Sequence, residues 1–257
     1  MKFLGIDLGW QSGPSGLCCL TLQDNALSLQ HLDRCVSLGE VLAWVDGCAP
    51  ESVPAMVAVD APTIITNETG MRSPDRLAHK YFGKYHAGCY PANLGRPFAA
   101  RLVQFGQDLE SRGFVHAPTI EAQQLGRYQI EVFPHPSMIQ LFNLPQILKY
   151  KKGRLAERAE VLERLRDYIL TVLPKHDPSL VIKDLPTIPK TGKALKAVED
   201  QLDSIICAYV AAHWWYWGHQ RNWIMGDADI EQPNPLKTGY IVVPSPPGAP
   251  VQKENVI

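Results

Sequence analysis

Residues 55–61 read Ala-Met-Val-Ala-Val-Asp-Ala, an apolar run broken only by Asp60 and closed by Pro62. A strand of this composition has no polar face, so it must lie inside a sheet that is covered on both sides. That requires helices on both faces and excludes an all-helical bundle or a one-sided meander. The segments around it fit. Residues 3–8 and 16–22 are short apolar runs, Asp24-Asn25 is a turn signal, and residues 26–36 alternate loosely between apolar and polar. They predict three strands joined in order, ahead of a helix over 38–44 and the buried strand.

Beyond Pro62 the pattern turns helical. Ser73-Pro-Asp-Arg predicts a helix with Ser73 as its N-cap, and residues 98–111 predict another beyond a Gly- and Pro-rich stretch. Residues 128–133 predict a strand ended by Pro134, residues 154–173 a charged amphipathic helix, and 193–217 a long, increasingly apolar one. Residues 240–243 predict a late strand. The order favours an α/β fold, a mixed β-sheet flanked by helices with a helical insertion at about 63–125. One domain spans 1–244, and the Pro-rich tail 245–257 is expected to be loose.

Four segments place carboxylates where a purely structural sequence would place apolar groups. Asp7 lies in Phe-Leu-Gly-Ile-Asp-Leu, Asp60 ends the buried strand, Glu131 lies in Gln-Ile-Glu-Val-Phe, and Asp200 and Asp203 open the apolar part of the last helix. Asp203, Cys207, Val210 and Trp214 share one helix face, which should be the buried one. A buried carboxylate without a partner costs several kcal/mol or takes up a proton, so such groups gather cations or bases. The structural alternatives are a turn cap for Asp60, a solvent-facing Glu131, and an ion pair of Asp200 with Lys196 four residues earlier. Several carboxylates at the carboxyl ends of adjacent strands suit Mg2+ or Mn2+, which favour oxygen ligands and activate water for phosphodiester cleavage.

The charge total, 25 Lys and Arg against 26 Asp and Glu, excludes a strongly basic nucleic-acid coat but leaves room for a local groove. Arg72 and Arg76 flank a helix start, where free N–H groups attract anions and a nucleic-acid phosphate is expected, the alternative being a turn Arg bound to backbone carbonyls or to Asp75; residues 149–166 hold seven bases against three acids. Lys151, Lys152 and Arg154 are the bases expected to meet a nucleic-acid backbone. Trp214, Trp215 and Trp217 point to core packing or a homodimer contact. Six cysteines without a CxxC pair read as reduced thiols. The N-terminal apolar stretch is too short for a signal peptide, and residues 205–217 supply about 13 residues against the ~20 a membrane span needs. A soluble, cytoplasmic protein is expected.

The set of a strand Asp, a second strand acid and a helix acid resembles the ribonuclease H-like superfamily of nucleases and resolvases. More closely, the chain resembles the family described as domain of unknown function 429, predicted nucleases of that fold. The matching pieces are Gly5-Ile-Asp-Leu-Gly9, Ala58-Val-Asp-Ala-Pro62, Gly70-Met-Arg-Ser-Pro-Asp75, Ile130-Glu-Val-Phe-Pro-His135, Asp200-Gln-Leu-Asp-Ser-Ile-Ile-Cys-Ala208 and Gly239-Tyr-Ile-Val-Val-Pro244. The resemblance implies a ribonuclease H-like fold, a Mg2+ or Mn2+ cofactor, a nucleic-acid substrate, and active-site acids at Asp7, Asp60, Glu131 and Asp203, with Asp200 as a metal-binding neighbour. Either Asp60 or Glu131 supplies the middle carboxylate; Asp60 is favoured because its strand should neighbour the first. Two other readings stand beside this one: an ATP-binding phosphotransferase of the sugar-kinase and actin type, and a non-catalytic binding module of the same fold. Against the former, that fold repeats its core twice, and no P-loop is present.

Overall fold

The computed structural model describes residues 1–226 and 234–251. Strands β1 (Lys2–Asp7), β2 (Ser15–Gln23) and β3 (Ala26–Cys35) form the antiparallel meander, with Asp24 and Asn25 at positive φ in its second turn. Helix α1 (Leu38–Cys48) starts in a reciprocal cap: Ser37 Oγ accepts from the Glu40 N–H, and Glu40 accepts from the Ser37 N–H. It leads to β4 (Ala55–Val59), parallel to β1. The insertion then carries α2 (Ser73–Phe82), α3 (Ala99–Glu110) and β5 (Val115–His116), and β6 (Arg127–Glu131) returns parallel to β4.

Helices α4 (Pro134–Phe142) and α5 (Leu155–Thr171), strand β7 (Ser179–Val181) and the 26-residue helix α6 (Gly192–Trp217) follow. Strand β8 (Asn222–Met225), the one-turn α7 (Pro235–Thr238) and β9 (Ile241–Pro244) close the described chain. The main sheet runs β5-β6-β4-β1-β2-β3-β7, while β8 and β9 form a separate ribbon. The meander on one side of β1 and parallel strands on the other give a ribonuclease H-like mixed sheet with a helical insertion. Among the described residues no helix is long and apolar enough to cross a membrane.

Strand alternation sorts the core into two faces. Phe3, Cys18, Leu20, Met56 and Ala58 pack under α6, whereas Leu4, Ile6, Leu17, Val57 and Val59 pack with α1 and α3. Two glycines set how closely α6 approaches. A Cβ on Gly5 would fall into the backbone of Ser204 and Ala208, and one on Gly16 into the carbonyl of Asp200. The main chain of α6 therefore rests directly on β1 and β2.

Several expectations change. Ser73 is the first helical residue rather than the cap; Arg72 stands at the cap, its N–H donating to Asp75 Oδ2, and Ser73 Oγ donates to the Gly226 carbonyl. The tail is not loose over 245–251: buried Gln140 pairs with both the N–H and the carbonyl of Val251, at 3.0 and 2.8 Å. Residues 252–257 lie outside the described residues. Trp214 and Trp215 are buried and donate to the carbonyls of Ala117 and Gln124, while Trp217 donates to Asp177 and lies under Arg221. The tryptophans thus serve this chain's own packing, which removes the motive for a homodimer contact there. All six cysteines are free.

Substituting Gly5 by Ala should lower unfolding free energy by about 1–3 kcal/mol, because helix backbone cannot yield as a side chain can. Urea denaturation would measure this; wild-type stability in Gly5→Ala would contradict the close approach.

Candidate active site

Asp7 ends β1 and Asp60 follows β4, whose last ladder bond runs from the Asp60 N–H to the Ile6 carbonyl at 2.9 Å. By strand alternation Asp7 lies on the face of Gly5, and Asp60 on the face of Ala58. Both therefore face α6, and α6 presents Asp203, which is fully buried. The close contact at Gly5 and Gly16 lets a side chain as short as Asp reach from the helix to the strand ends.

The electrostatics record this convergence. Burial pushes the Asp7 carboxyl well above its ordinary range; Lys151 opposes the rise, and Asp203, Asp60 and Asp200 add to it. Burial also raises Asp60, to about 7, against the pull of Lys151 and of a hydrogen bond with Asp7. Both carboxyls therefore hold a proton more readily than a free aspartate does.

Asp203 is held from both sides. The Tyr150 hydroxyl donates to Oδ1 at 2.6 Å, and the Lys151 ammonium stands 2.9 Å from Oδ2. The lysine contact is out of hydrogen-bond alignment, so Oδ2 is a buried acceptor beside a charge without a hydrogen bond of its own. Burial alone would favour the neutral amine of Lys151; Asp203, Asp7 and Asp60 outweigh it and keep the group protonated. His135, in the first turn of α4, lies near the Tyr150 ring, and its buried Nδ1 has no hydrogen-bond partner. Burial, with Lys151 adding to it, lowers its pKa to about 4, leaving the ring neutral.

Asp200 and Glu199 belong to an adjoining ion-pair network. Lys196 reaches Asp200 at 2.6 Å and Glu199 at 2.7 Å; Arg34 also pairs with Asp200, and Arg158 with Glu199. Asp200, expected as a metal-binding neighbour, is thus already matched by two bases.

Glu131 lines the cleft that Asp60 also lines, but it is paired with a base. Ile130 and Val132 belong to the α6-facing core, while Gln129 donates to the Gly106 carbonyl in α3; alternation sends Glu131 the same way as Gln129. There it accepts from both terminal nitrogens of Arg72, at 2.8 and 2.6 Å. Arg72 also donates to Asp75 at 2.8 Å and to the Ile64 carbonyl at 3.0 Å. Burial would lower the Arg72 pKa, but Glu131 and Asp75 hold it above the ordinary value. Arg72 was expected at a phosphate; only 4% exposed and already bound to two carboxylates, it ties the insertion to β6 instead. Lys151 reaches Asp203 while its side chain stays 36% exposed. Arg76, Lys152 and Arg154 are exposed, as a nucleic-acid contact requires.

A small cleft opens beside Asp60, walled by Trp10, Arg72, Tyr90, Glu131 and Phe133. Trp10 Nε1 donates to the Asp60 carbonyl at 2.9 Å, Phe98 meets both the Trp10 and Tyr90 rings edge-on, and Tyr90 is 60% exposed. Of the two sequence readings of Arg72, the pairing with Asp75 and a backbone carbonyl is the one formed. Sequence reasoning missed Trp10, Tyr90 and Tyr150, whose partners are distant in the chain.

The donor set is all oxygen; among the described residues two of its carboxylates lack an ion pair of their own, and one buried Asp203 oxygen lacks a hydrogen bond. Oxygen donors are what a hard divalent cation prefers, but among the described residues no group of three or more His, Cys, Asp or Glu side chains could hold a metal ion.

A family model described as a protein of unknown function (DUF429) matches residues 5–229. Among solved structures, the Thermus thermophilus RuvC structure is similar at 13% sequence identity and a TM-score of 0.37, with 82% of this chain and 98% of that chain covered. No curated protein matches.

The two acid groups should respond oppositely to neutralisation. Glu131→Ala leaves a buried guanidinium short of a partner and should cost about 3–5 kcal/mol. Asp7→Asn removes a carboxyl whose charge is disfavoured by burial and by the neighbouring Asp203 and Asp60, and should raise the melting temperature of the protein. Thermal and urea unfolding would check both; a destabilising Asp7→Asn would contradict the repulsion.

Proposed function

We propose that this chain, which belongs to the DUF429 family, is a divalent-metal-dependent phosphodiesterase acting on nucleic acid. The observation that carries the reading is the convergence of Asp7, Asp60 and Asp203 from two strand ends and one helix, with Asp7 and Asp60 without ion pairs among the described residues. Glu131 and Asp200 have bases of their own and fall outside this set.

Asp7, Asp60 and Asp203 would hold Mg2+ or Mn2+, which supplies Lewis-acid activation of water and neutralises charge on the phosphoryl oxygens. Asp7 and Asp60 would have to be ionised to serve as ligands. Tyr150 orients Asp203 by donating to Oδ1, and Lys151 adds positive charge where a phosphodiester would lie. The exposed Tyr90 ring at the rim of the cleft offers a face for stacking an unpaired base, and Arg76, Lys152 and Arg154 can meet backbone phosphates. The phosphotransferase reading fits less well, since the described residues hold one copy of a core that it needs twice.

Purified protein incubated with single- and double-stranded DNA and RNA oligonucleotides should show Mn2+-stimulated cleavage. Asp7→Asn and Asp60→Asn should each reduce it by more than about 100-fold while circular dichroism stays unchanged. Cleavage by folded Asp7→Asn at the wild-type rate would sink the proposal.

A further inference from the structure

We infer that the cleft beside Asp60 takes one unpaired base, with the adjoining phosphate at Arg96, so that the chain selects single-stranded over duplex nucleic acid. This rests on the nucleic-acid reading above and goes beyond it by fixing the state of the strand; it does not depend on a bound metal.

The floor of the cleft decides what can enter. Among the described residues Arg72 is the one base that lines it, and its guanidinium is already taken by Glu131, Asp75 and the Ile64 carbonyl. A phosphate there would meet three carboxyl groups, those of Asp60, Asp75 and Glu131, with no cation to spare. A neutral planar ring carries no such penalty. Trp10, Tyr90 and Phe133 give the walls the aromatic surface on which bases stack.

The stacking platform is built in advance. Tyr90 is exposed, yet the chain beyond it is pinned. The Ala92 N–H donates to Asp75 Oδ2 at 3.1 Å, the Asn93 amide to the Gly70 carbonyl at 2.8 Å, and the Asn67 amide to the Ala92 carbonyl at 3.1 Å. Phe98 braces the rings of both Tyr90 and Trp10. A ring held this way loses little freedom when it stacks. Arg96 stands 5.2 Å from the centre of the Tyr90 ring, and its Nε lacks a hydrogen-bond partner. A guanidinium so placed extends the stack and is positioned for the phosphate next to the bound base. Arg76, exposed on α2 directly after Asp75, supplies a second cation outside the cleft, which suits a strand rather than a lone nucleotide. A duplex cannot use this arrangement without loss, because presenting a base to Tyr90 costs the unpairing and unstacking energy that a single strand does not pay.

Binding, not turnover, tests the inference. The full chain in EDTA is titrated against a fluorescently labelled single strand, the same sequence as a duplex, and a strand of abasic sugar-phosphate units, each followed by anisotropy. Wild type should bind the single strand about tenfold or more tightly than the duplex. Tyr90→Ala should weaken single-strand binding about tenfold, Tyr90→Trp should restore it, and the abasic strand should bind both wild type and Tyr90→Ala equally weakly. Equal affinity of wild type for strand and duplex would overturn the pocket and leave the nucleic-acid reading intact, as would a Tyr90→Ala that binds the strand like wild type. Displacement of the strand by an equal concentration of a free nucleoside monophosphate would overturn it too, by assigning the cleft to a small nucleotide. No binding of either strand or duplex would remove the nucleic-acid reading itself, and this inference with it. Should Tyr90→Ala fail to fold by circular dichroism, the abasic strand on wild type decides the question.

Discussion

Helix α6 lies on the sheet backbone to backbone, and the site depends on that contact. Gly5 and Gly16 have no side chains to hold the helix off, so the main chain at Asp200, Ser204 and Ala208 occupies the space their Cβ atoms would need. With ordinary strand residues beneath it, packed elements stand roughly 8–10 Å apart and an aspartate would fall short of the strand ends. The same contact explains the composition of α6. Between Leu202 and Trp215 every residue is buried, because the sheet covers one side while α4 and α5 cover the other. A helix apolar all round is what such an enclosed position calls for.

Buried carboxylates take different parts in this molecule according to the bases that reach them. Glu131 and Asp75 share the guanidinium of Arg72 across a junction between the insertion and the sheet, where each partner satisfies the others' hydrogen bonds. Such a cluster fixes geometry, and removing one member leaves a buried charge exposed to the full desolvation penalty. Asp7 and Asp60 are only half-buried, and among the described residues each has other acids close by and no ion pair of its own. Their unfavourable pairing is tolerated because the surrounding sheet and helix are held by other contacts, in the way that functional sites store local strain.

Much of this was legible in the sequence. The apolar run over 55–61 required helices on both faces, and acids at its end and within residues 3–8 had no structural use that the local pattern could supply. Alternation from Gly5 to Asp7 and from Ala58 to Asp60 would even have given their common face, had the direction of α6 been known. Glu131 could not be separated from Asp60 in this way, because its face depends on the register of β4 against β6, which no local pattern records. Arg72 misled for a related reason. An Arg before a Ser-Pro helix start looks available for an anion, and only the fold brings Glu131, 59 residues away, against it. Tyr150 and Lys151 sat in a basic stretch that reads as solvated; their partner Asp203 is some fifty residues further on. The short strands β7 and β8 were missed because three or four residues cannot display a period.

A neutral total charge conceals how unevenly the charges are placed. Asp75, Glu131, Glu199, Asp200 and Asp203 are each buried with a base of this chain beside them. The interior therefore balances acid by acid, as the cost of buried charge demands. Asp7 and Asp60 depart from that rule, and they do so at the carboxyl ends of neighbouring parallel strands, where side chains converge above the sheet and a cleft opens to solvent. Among the described residues the other buried acids each have a base beside them, whereas Asp7 and Asp60 lack an ion pair, and they stand at strand ends with a cleft open to solvent beside Asp60.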